Sequence, residues 1–436
     1  MFWYWQVDGW IALAGTLCAI ACALVGNFLV LRRLSLIGDA ISHAVLPGIA
    51  AAFLWSGSRS QFVALLGAVA VGMITVWLTE LIRRFGSVEE SAAIGVVFTA
   101  LFALGIMMVS RAEHVDLDPS CVLYGNLETI ILEMVPTPFG KMPLVVVELA
   151  CVCCFNAAVL FLFYRQWTLS TFDPTMAQAQ GIPVGVFHYA LAAMVAVTCI
   201  ISFRAVGNIL VVAMLIVPPA TAFLICNRLA PMIWISAMVA GIAAILGHLS
   251  AISLPHTIGF KSANSAAMIA VVAGLLLLLA AIFSPKSGVL VRWLAQRKLS
   301  RRILGEDILA FLYRESEQSA PALATVSMQA IADRLKISLS PLANAGGEMI
   351  RSGYLTSTND GWALTPNGYR HAQNLIRSHR LWEQFLSIET GLGDHRLHTQ
   401  AESLEHYTSS ELRSQLDRTS GSPSLDPHGK QIPPES

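Results

Sequence analysis

Two side chains with metal-ligating groups stand four residues apart in an apolar stretch near the N-terminus. The run Gly38–Gly48 reads GDAISHAVLPG, so Asp39 and His43 lie one turn apart on one face of a predicted helix. Pro47 has no N–H to give to the carbonyl of His43, which leaves that oxygen free. A carboxylate, an imidazole and a spare carbonyl suit manganese, iron or zinc. Because an ionisable group in a membrane is costly and usually faces a pathway, the pair predicts a metal path.

A second set of ligand-type side chains lies near the C-terminus. His379 and Glu383 are four residues apart in a predicted long helix. Four more follow the spacing i, i+4, i+7, i+8, which predicts a single helix face: His398, Glu402, Glu405 and His406. Imidazole and carboxylate groups bind divalent transition metals, so these residues are candidate ligands, with a solvated helix face as the alternative.

The composition assigns this chemistry to a membrane protein with a polar extension. Mean hydropathy is +0.62, with 55% hydrophobic and 13% charged residues, which is outside the range of soluble globular proteins. Apolar runs end near Phe283, and the chain is polar from Lys286 onward. A formal net charge of zero gives no bulk electrostatic argument for nucleic-acid binding. Most of the eight cysteines fall in apolar runs, so no disulfide framework is predicted.

About nine apolar segments are long enough to cross a bilayer. They are residues 10–31, 34–55, 61–82, 91–110, 143–164, 187–203, 205–226, 232–250 and 264–283. Most arginines and lysines at the segment ends fall on one side if the N-terminus is outside. We therefore predict an all-α polytopic protein of the cell (inner) membrane, with a cytoplasmic C-terminal domain.

The predicted cytoplasmic loop after Arg165 contains a helix signal. Asp173, which follows Phe172, can cap a short helix that begins at Pro174 and ends near Gly181. A short cytoplasmic helix in a transporter is a natural contact for a motor subunit. The alternative is an ordinary connector.

The polar region has the pattern of a winged helix with an α+β fold. Residues 326–338 match the first helix and turn of a helix-turn-helix, and Ser340 can cap the next helix with Pro341 at its first position. Residues 354–356 and 362–364 flank an Asn-Asp-Gly turn and predict a hairpin wing. A longer helix is predicted to follow from Thr365-Pro366.

The second helix of this motif is poorly equipped to read DNA. It has two central glycines, which cost about 2 kcal/mol of helix propensity relative to alanine. It offers Ser340, Asn344 and Arg351 as contacts, with no lysine or arginine before Arg351. Phosphate and guanine contacts normally rely on cations, so we expect weak DNA binding.

The membrane part resembles the permeases of manganese/zinc/iron ABC importers. The similarity rests on RLSLIGDAISHAVLPG (33–48), ESAAIG (90–95), DLD (116–118), YGN (124–126) and FDP (172–174), and it covers about residues 10–284. It implies that Asp39 and His43 gate the metal path. It also implies that an ABC ATPase docks on the cytoplasmic loops, where we assign the contact to Phe172, Asp173, Pro174 and Gly181.

The same resemblance implies further partners. These are a second permease copy or a homologous permease, and an extracytoplasmic metal-binding protein. The sequence has no GxxxxGK[ST] motif, so we do not expect an enzyme, and a separate ATPase subunit is expected to hydrolyse ATP.

The tail from about Gly305 to Pro434 is similar to iron- and manganese-dependent repressors of the DtxR type. SHRLWEQFL (378–386), LEH (404–406) and DPHGKQIP (426–433) carry the similarity. It implies that six positions are regulatory metal ligands: His379, Glu383, His398, Glu402, Glu405 and His406. In its first helix the family often has a further ligand three residues after an acidic residue. Here the residue three positions after Asp307 is Ala310, which has no ligating group.

These observations predict four regions. They are a permease domain (1–285), a basic linker (286–304), a winged helix-turn-helix domain (305–370) and a metal-binding, dimerisation-like helical region (371–436). The predicted function is divalent-metal import through an ABC permease with a fused metal sensor. A membrane-tethered or released metal-dependent repressor and an ion-coupled secondary metal transporter are the alternatives.

Overall fold

The chain forms two compact units, Met1–Val291 and Arg292–Ser436. The computed structural model describes residues 4–34, 36–56, 61–111, 127–138, 140–258, 263–318, 325–358, 360–390 and 394–435. The predicted motifs at 116–118 and 124–126 lie outside these residues.

The first unit consists mainly of helices. They are α1 (Trp5–Leu31), α2 (Leu36–Ser56), α3 (Gln61–Gly86), α4 (Glu90–Arg111), α5 (Leu144–Leu162), α6 (Tyr164–Phe172), α7 (Pro174–Ala179), α8 (Val184–Val206), α9 (Asn208–Ile225), α10 (Leu229–Ile258) and α11 (Ser265–Phe283). A 3₁₀ helix (Leu127–Leu132) and the antiparallel strands β1 (Met134–Thr137) and β2 (Gly140–Pro143) precede α5. Among the described residues, eight helices are long and apolar enough to cross a membrane. Each predicted span coincides with a helix, and the number of crossings stays a prediction.

Helix α1 is the most enclosed of these spans and packs against α5, α8, α9 and α10. Many of its buried residues are small, which lets neighbouring backbones approach closely. Hydrogen bonds between neutral side chains join the helices. Asn27 Nδ2 donates to Ser236 Oγ on α10 at 2.7 Å, and Asn156 Nδ2 on α5 donates to Thr198 Oγ1 on α8 at 2.8 Å. Interhelical bonds of this kind satisfy polar groups away from water.

The second unit contains a winged helix followed by a helical region. Its elements are α12 (Val289–Gln318, which begins just before the unit), α13 (Met328–Leu335), α14 (Leu339–Arg351), β3 (Leu355–Thr358), β4 (Gly361–Leu364), α15 (Pro366–Thr390), α16 (Asp394–Glu405) and α17 (Ser410–Thr419). Strand β3 pairs antiparallel with β4, with Leu355 opposite Leu364. The predicted wing and the predicted long helix after Thr365 are confirmed.

One predicted helix cap is wrong. Helix α14 begins at Leu339, with Ser338 in the N-cap position, and no side-chain hydrogen bond caps it. Ser340 and Pro341 therefore lie inside the first turn. Proline is tolerated there because the first N–H groups of a helix have no intrahelical partner.

The core of the second unit joins α12, α14 and the wing. It includes Leu309 of α12, Leu342 of α14 and Trp362 of β4. Gly346 makes this packing possible, since a Cβ there would lie 2.1 Å from Cη2 of Trp362. At Gly347 a Cβ would meet nothing within 4 Å. The first glycine is therefore required by the core, whereas the second is not.

Candidate metal sites

The predicted transport pair lies on α2. The helix runs from Leu36 to Ser56 without interruption, so Asp39 and His43 are one turn apart along its axis. Their side chains lie outside the part of the chain that the structure describes. Just beyond them α2 is tightly packed: a Cβ on Gly105 of α4 would lie 2.7 Å from Cδ of Pro47. This contact fixes the helix at its proline against α4.

The predicted coupling helix is present as α7. Asp173 Oδ1 accepts hydrogen bonds from the backbone N–H of Met176 at 2.9 Å and from Thr175 Oγ1 at 2.7 Å. The bond from the Met176 N–H, with that from Thr175, lowers the pKa of Asp173. Gly181, with φ +77°, follows the helix. The Phe172 side chain is 60% exposed, so this segment offers an apolar surface beside a fixed carboxylate.

A buried aromatic cluster joins α6, which leads into this segment, to the membrane helices. Trp167 is buried and contacts the rings of Phe28 on α1 and Phe187 on α8 at 5.4 and 5.2 Å between centroids. Arg32, at the C-terminal end of α1, donates to Ser170 Oγ at 2.9 Å and to Thr171 Oγ1 at 3.1 Å. Helix α6, and through it the segment from Phe172 to Gly181, is thereby tied to the helix that directly precedes α2.

The first metal-ligating group in the tail joins α15 to α16. His379 Nε2 lies 3.1 Å from Glu383 Oε1, and His398 Nδ1 lies 2.9 Å from the same oxygen. The i, i+4 spacing on α15 stacks His379 over Glu383, and α16 supplies His398. His379 and Glu383 are buried, whereas the His398 side chain is 50% exposed. The group is closed on the helix side and open to solvent at His398.

The second group joins α16 to α12. His406 Nε2 lies 3.3 Å from Asp307 Oδ1 and 3.9 Å from Glu405 Oε1. His406 Nδ1 lies 2.7 Å from Glu306 Oε2, and Arg302 Nε in turn donates to Glu306 Oε1 at 2.8 Å. Carboxylates that bind the second ring nitrogen orient a ligating histidine, so Glu306 aims Nε2 at Asp307 and Glu405.

Opposite charges shift the pKa values of these groups. Burial alone would lower the pKa of His406, but hydrogen bonds to Asp307 and Glu306 and the charge of Glu405 raise it to about 10. Burial likewise opposes charging of His379, and its bonds to Glu383 and Glu405 still raise its pKa. Burial would raise the pKa of Glu383, but the bonds from His379 and His398 lower it to about 2. His406 is therefore protonated at neutral pH, and a metal ion must displace that proton.

The structure divides the predicted tail ligands unevenly. His379, Glu383 and His398 form one group, and Glu405 and His406 form the other with Asp307. Glu402 is exposed and belongs to neither group, although it lines the same cavity of about 910 Å³. Helix α16 ends at Glu405, so it carries His398, Glu402 and Glu405, and His406 follows it. Glu405 Oε2 also lies 2.5 Å from His379 Nδ1, so the two groups are in contact. The single helix face predicted for all four residues stays a prediction.

Sequence reasoning missed two carboxylates at the second group. The family resemblance uses Asp307 only to locate the ligand position that Ala310 leaves empty, yet the carboxylate of Asp307 faces His406. The sequence pattern assigns no role to Glu306, which binds His406 Nδ1. The adjacent acidic pair in the middle of α12 was the available signal, but only the tertiary structure shows that His406 is its partner.

The predicted DNA contacts lie together on the outside of α14. Ser340, Asn344 and Arg351 are all exposed. The side chain of Arg351 turns back along its own helix, and its Nε donates to the Gly347 carbonyl at 3.2 Å.

Comparison with known proteins matches both units. Residues 9–284 match the ABC 3 transport family, and residues 365–434 match the metal binding and dimerisation domain of iron dependent repressors. The chain is 39% identical over 301 residues to the manganese transport system membrane protein MntD of Bacillus subtilis (strain 168), covering 68% of this chain and 99% of that protein. It is 38% identical to the zinc transport system membrane protein TroD of Treponema pallidum (strain Nichols), covering 66% and 77%. The solved structure of PsaBC from Streptococcus pneumoniae in complex with Fab matches with a TM-score of 0.54 and 28% identity, over 66% of this chain and 94% of that one.

Proposed function

The chain belongs to the ABC 3 transport family, and from this we infer that it is the membrane permease of an ABC importer of divalent metal ions. The match over residues 9–284 carries the inference, because it includes the helix with Asp39 and His43. Relatives named for manganese and for zinc transport support a cargo of manganese, zinc or iron, which share these ligand types.

We assign the metal path to Asp39 and His43, one turn apart on α2. Paired permeases would bring two such pairs to one path. The partner is a second copy of this chain or a homologous permease, and an extracytoplasmic metal-binding protein would deliver the ion. In this topology the N-terminus is outside and the tail is cytoplasmic.

An ABC ATPase would dock on the segment from Phe172 to Gly181. The exposed Phe172 ring and the capped helix α7 give it a preformed surface. Arg32 and Trp167 connect that surface to α1, so movement of the segment is passed to the helix before α2.

The tail would act as a metal sensor. His379, Glu383 and His398 would hold one ion, and Asp307, Glu405 and His406 would hold another. The donor sets fit divalent metals, because each combines at least one imidazole with a carboxylate. A bound ion would supply the positive charge that protons supply in its absence, and it would link α12, α15 and α16. This link makes the tail's conformation depend on cytoplasmic metal.

Uptake by the reconstituted assembly tests the transport proposal. Purified permease in liposomes, with its ATPase and metal-binding protein, should accumulate manganese, zinc or iron only with ATP present. Uptake that follows an ion gradient without the ATPase would favour a secondary transporter instead.

A further inference from the structure

An exposed basic segment follows the last membrane helix. Helix α11 ends at Phe283 and α12 begins at Val289. The chain then has no acidic residue before Glu306, and it carries six cations: Lys286, Arg292, Arg297, Lys298, Arg301 and Arg302. We propose that residues 289–302, the juxtamembrane segment, bind the anionic phospholipid surface of the cytoplasmic leaflet. The assignment to that leaflet rests on the topology proposed above.

The start of the juxtamembrane segment is fastened to the end of a membrane helix. Ser284 Oγ and Ser287 Oγ both donate to the Leu224 carbonyl, at 2.5 and 3.1 Å. Leu224 lies in the last turn of α9, and Lys286 Nζ lies 5.1 Å from the ring centroid of Phe223. Because α9 is long and apolar enough to cross the membrane, α12 begins at the depth where lipid headgroups lie.

One face of the segment is apolar at its start and basic further along. Six residues follow the spacing i, i+3, i+4, i+7, i+8, i+11, which places them on one side of the helix: Leu290, Trp293, Leu294, Arg297, Lys298 and Arg301. The Cζ atom of Arg297 lies 3.5 Å from the ring centroid of Trp293, so the guanidinium covers the indole. Tryptophan and long cationic side chains both suit the boundary between acyl chains and headgroups.

The rest of the described chain leaves this face uncovered. Every residue from 289 to 302 is exposed, including Trp293 at 44% and Leu294 at 52%. Further along the same helix, Ile308 and Leu309 are buried in the core of the tail. The exposed part of α12 is therefore not needed for that core.

The charges of the face match an anionic surface. Among the described residues no ion pair joins Arg297, Lys298 or Arg301, whereas Arg302 pairs with Glu306 at 2.8 Å. Basic clusters directly after a membrane helix are attracted to anionic lipids, and apolar side chains of such a helix enter the acyl boundary. Nucleic acid would match the cations but not Leu290, Trp293 and Leu294. The lipid surface would thus anchor the start of the tail.

Photocrosslinking of the full-length protein in nanodiscs tests the proposal. A benzophenone amino acid takes the place of Leu294, the discs contain equimolar phosphatidylglycerol and phosphatidylcholine, and mass spectrometry identifies the captured molecule. Phosphatidylglycerol should be captured about threefold or more over phosphatidylcholine, since each lysine or arginine near an anionic surface adds attraction. The same probe at Leu299, exposed on the other side of the helix, should capture less lipid.

A charge variant tests the role of the cations. With the probe at residue 294, R297Q/K298Q/R301Q should bring the ratio of the two captured lipids close to one. The matched control is R370Q/R418Q/K430Q, which removes three exposed cations elsewhere in the tail and should keep the wild-type ratio.

Three results would overturn the proposal. They are equal capture of the two lipids by the wild type, capture of protein in place of lipid at residue 294, and capture of added double-stranded DNA in place of lipid. Both leaflets of a nanodisc contain both lipids, so lipid capture there does not depend on orientation. Protease access to the tail in spheroplasts measures orientation separately: cleavage of the tail from outside would show that the proposed topology is wrong, whatever lipid the segment binds.

Discussion

The membrane unit and the tail handle polar groups in opposite ways. In the described part of the membrane unit, neutral pairs such as Asn27 with Ser236 and Asn156 with Thr198 join the helices in the interior, and a charged contact, Asp8 with His248, lies near the start of α1. The tail instead collects carboxylates and imidazoles within 4.8 Å of one another. Charges in a bilayer are costly, so a transport path concentrates its chemistry in few side chains, whereas a sensor in water can afford two sites and their supporting carboxylates. One substitution in the transport path should therefore abolish metal uptake, whereas each substitution in the tail should remove only part of its metal binding.

The largest effect is expected at the path. D39A or H43A should reduce metal uptake to background, because each removes one of the two ligands proposed for the path. L54A is the matched control: Leu54 is on the same helix and half exposed, so it should transport normally. Uptake by the reconstituted assembly measures the effect. Near-normal uptake by either ligand variant would show that the path lies elsewhere.

The next effect is expected at the coupling segment. D173K removes the cap of α7 and reverses a charge on the proposed ATPase surface. Transport should be lost while ATP hydrolysis by the assembly continues. D173N retains a good capping residue and should keep most transport. If cross-linking places the ATPase away from this segment and D173K transports normally, the assignment is wrong.

In the tail, each single ligand substitution should remove only part of the stabilisation by metal. A fragment from Arg292 includes the cores of its unit and should gain about 2.7 kcal/mol when metal is at 100 times its Kd. H379A and H406A should each remove most of the gain from one site, as thermal melts with and without manganese or zinc would show. E402A should lose less, because Glu402 lies in neither group. An E402A loss as large as that of H406A would place Glu402 among the ligands.

Metal affinity in the tail should rise with pH. In the metal-free tail the pKa of His406 is about 10, so between pH 6 and 8 a metal ion must displace its proton. Each displaced proton changes affinity by about tenfold per pH unit. Calorimetry in buffers of different ionisation enthalpy should detect this proton release. A pH-independent affinity would mean that His406 does not bind the ion.

The free energy of unfolding of the metal-free fragment should instead fall at high pH. The raised pKa of His406 contributes stability that is complete below its ordinary value of 6.5 and is lost as the pH rises through about 10. The lowered pKa of Glu383 contributes stability above 4.5 that is lost as the pH falls through about 2. The metal-free fragment should therefore be most stable between about pH 4.5 and 6.5.

The smallest effects are expected in α14. G346A should destabilise the fragment by about 1–3 kcal/mol, because its Cβ would overlap the buried Trp362 ring. G347A should stabilise it by up to about 1 kcal/mol through helix propensity alone. Denaturant unfolding of both variants measures the difference. Equal effects would contradict the packing role assigned to Gly346.

Much of the fold was predictable, because its signals are local. Apolar length marked the spans, Asp173 and Pro174 marked the start of α7, and the Asn-Asp-Gly turn marked the wing. The ligand groups of the tail were less predictable. Helical periodicity assigns a side chain to a face but does not give the distance between helices, so it could not divide the tail ligands into two groups. It could not bring Asp307 to His406 either, since that contact spans 99 residues of sequence. The roles of Asp39, His43 and the DNA contacts stay predictions.

The short link between α11 and α12 has a consequence for how two tails associate. Helix α11 ends at Phe283 and α12 begins at Val289, so residues 284–288 alone precede the helix that carries Asp307. A free repressor subunit finds its partner by diffusion, and its pairing depends on how much protein the cell holds. Two tails borne by paired permeases would meet at an effective concentration in the millimolar range. Their association would be independent of expression level, and each transporter would respond to metal as a self-contained unit.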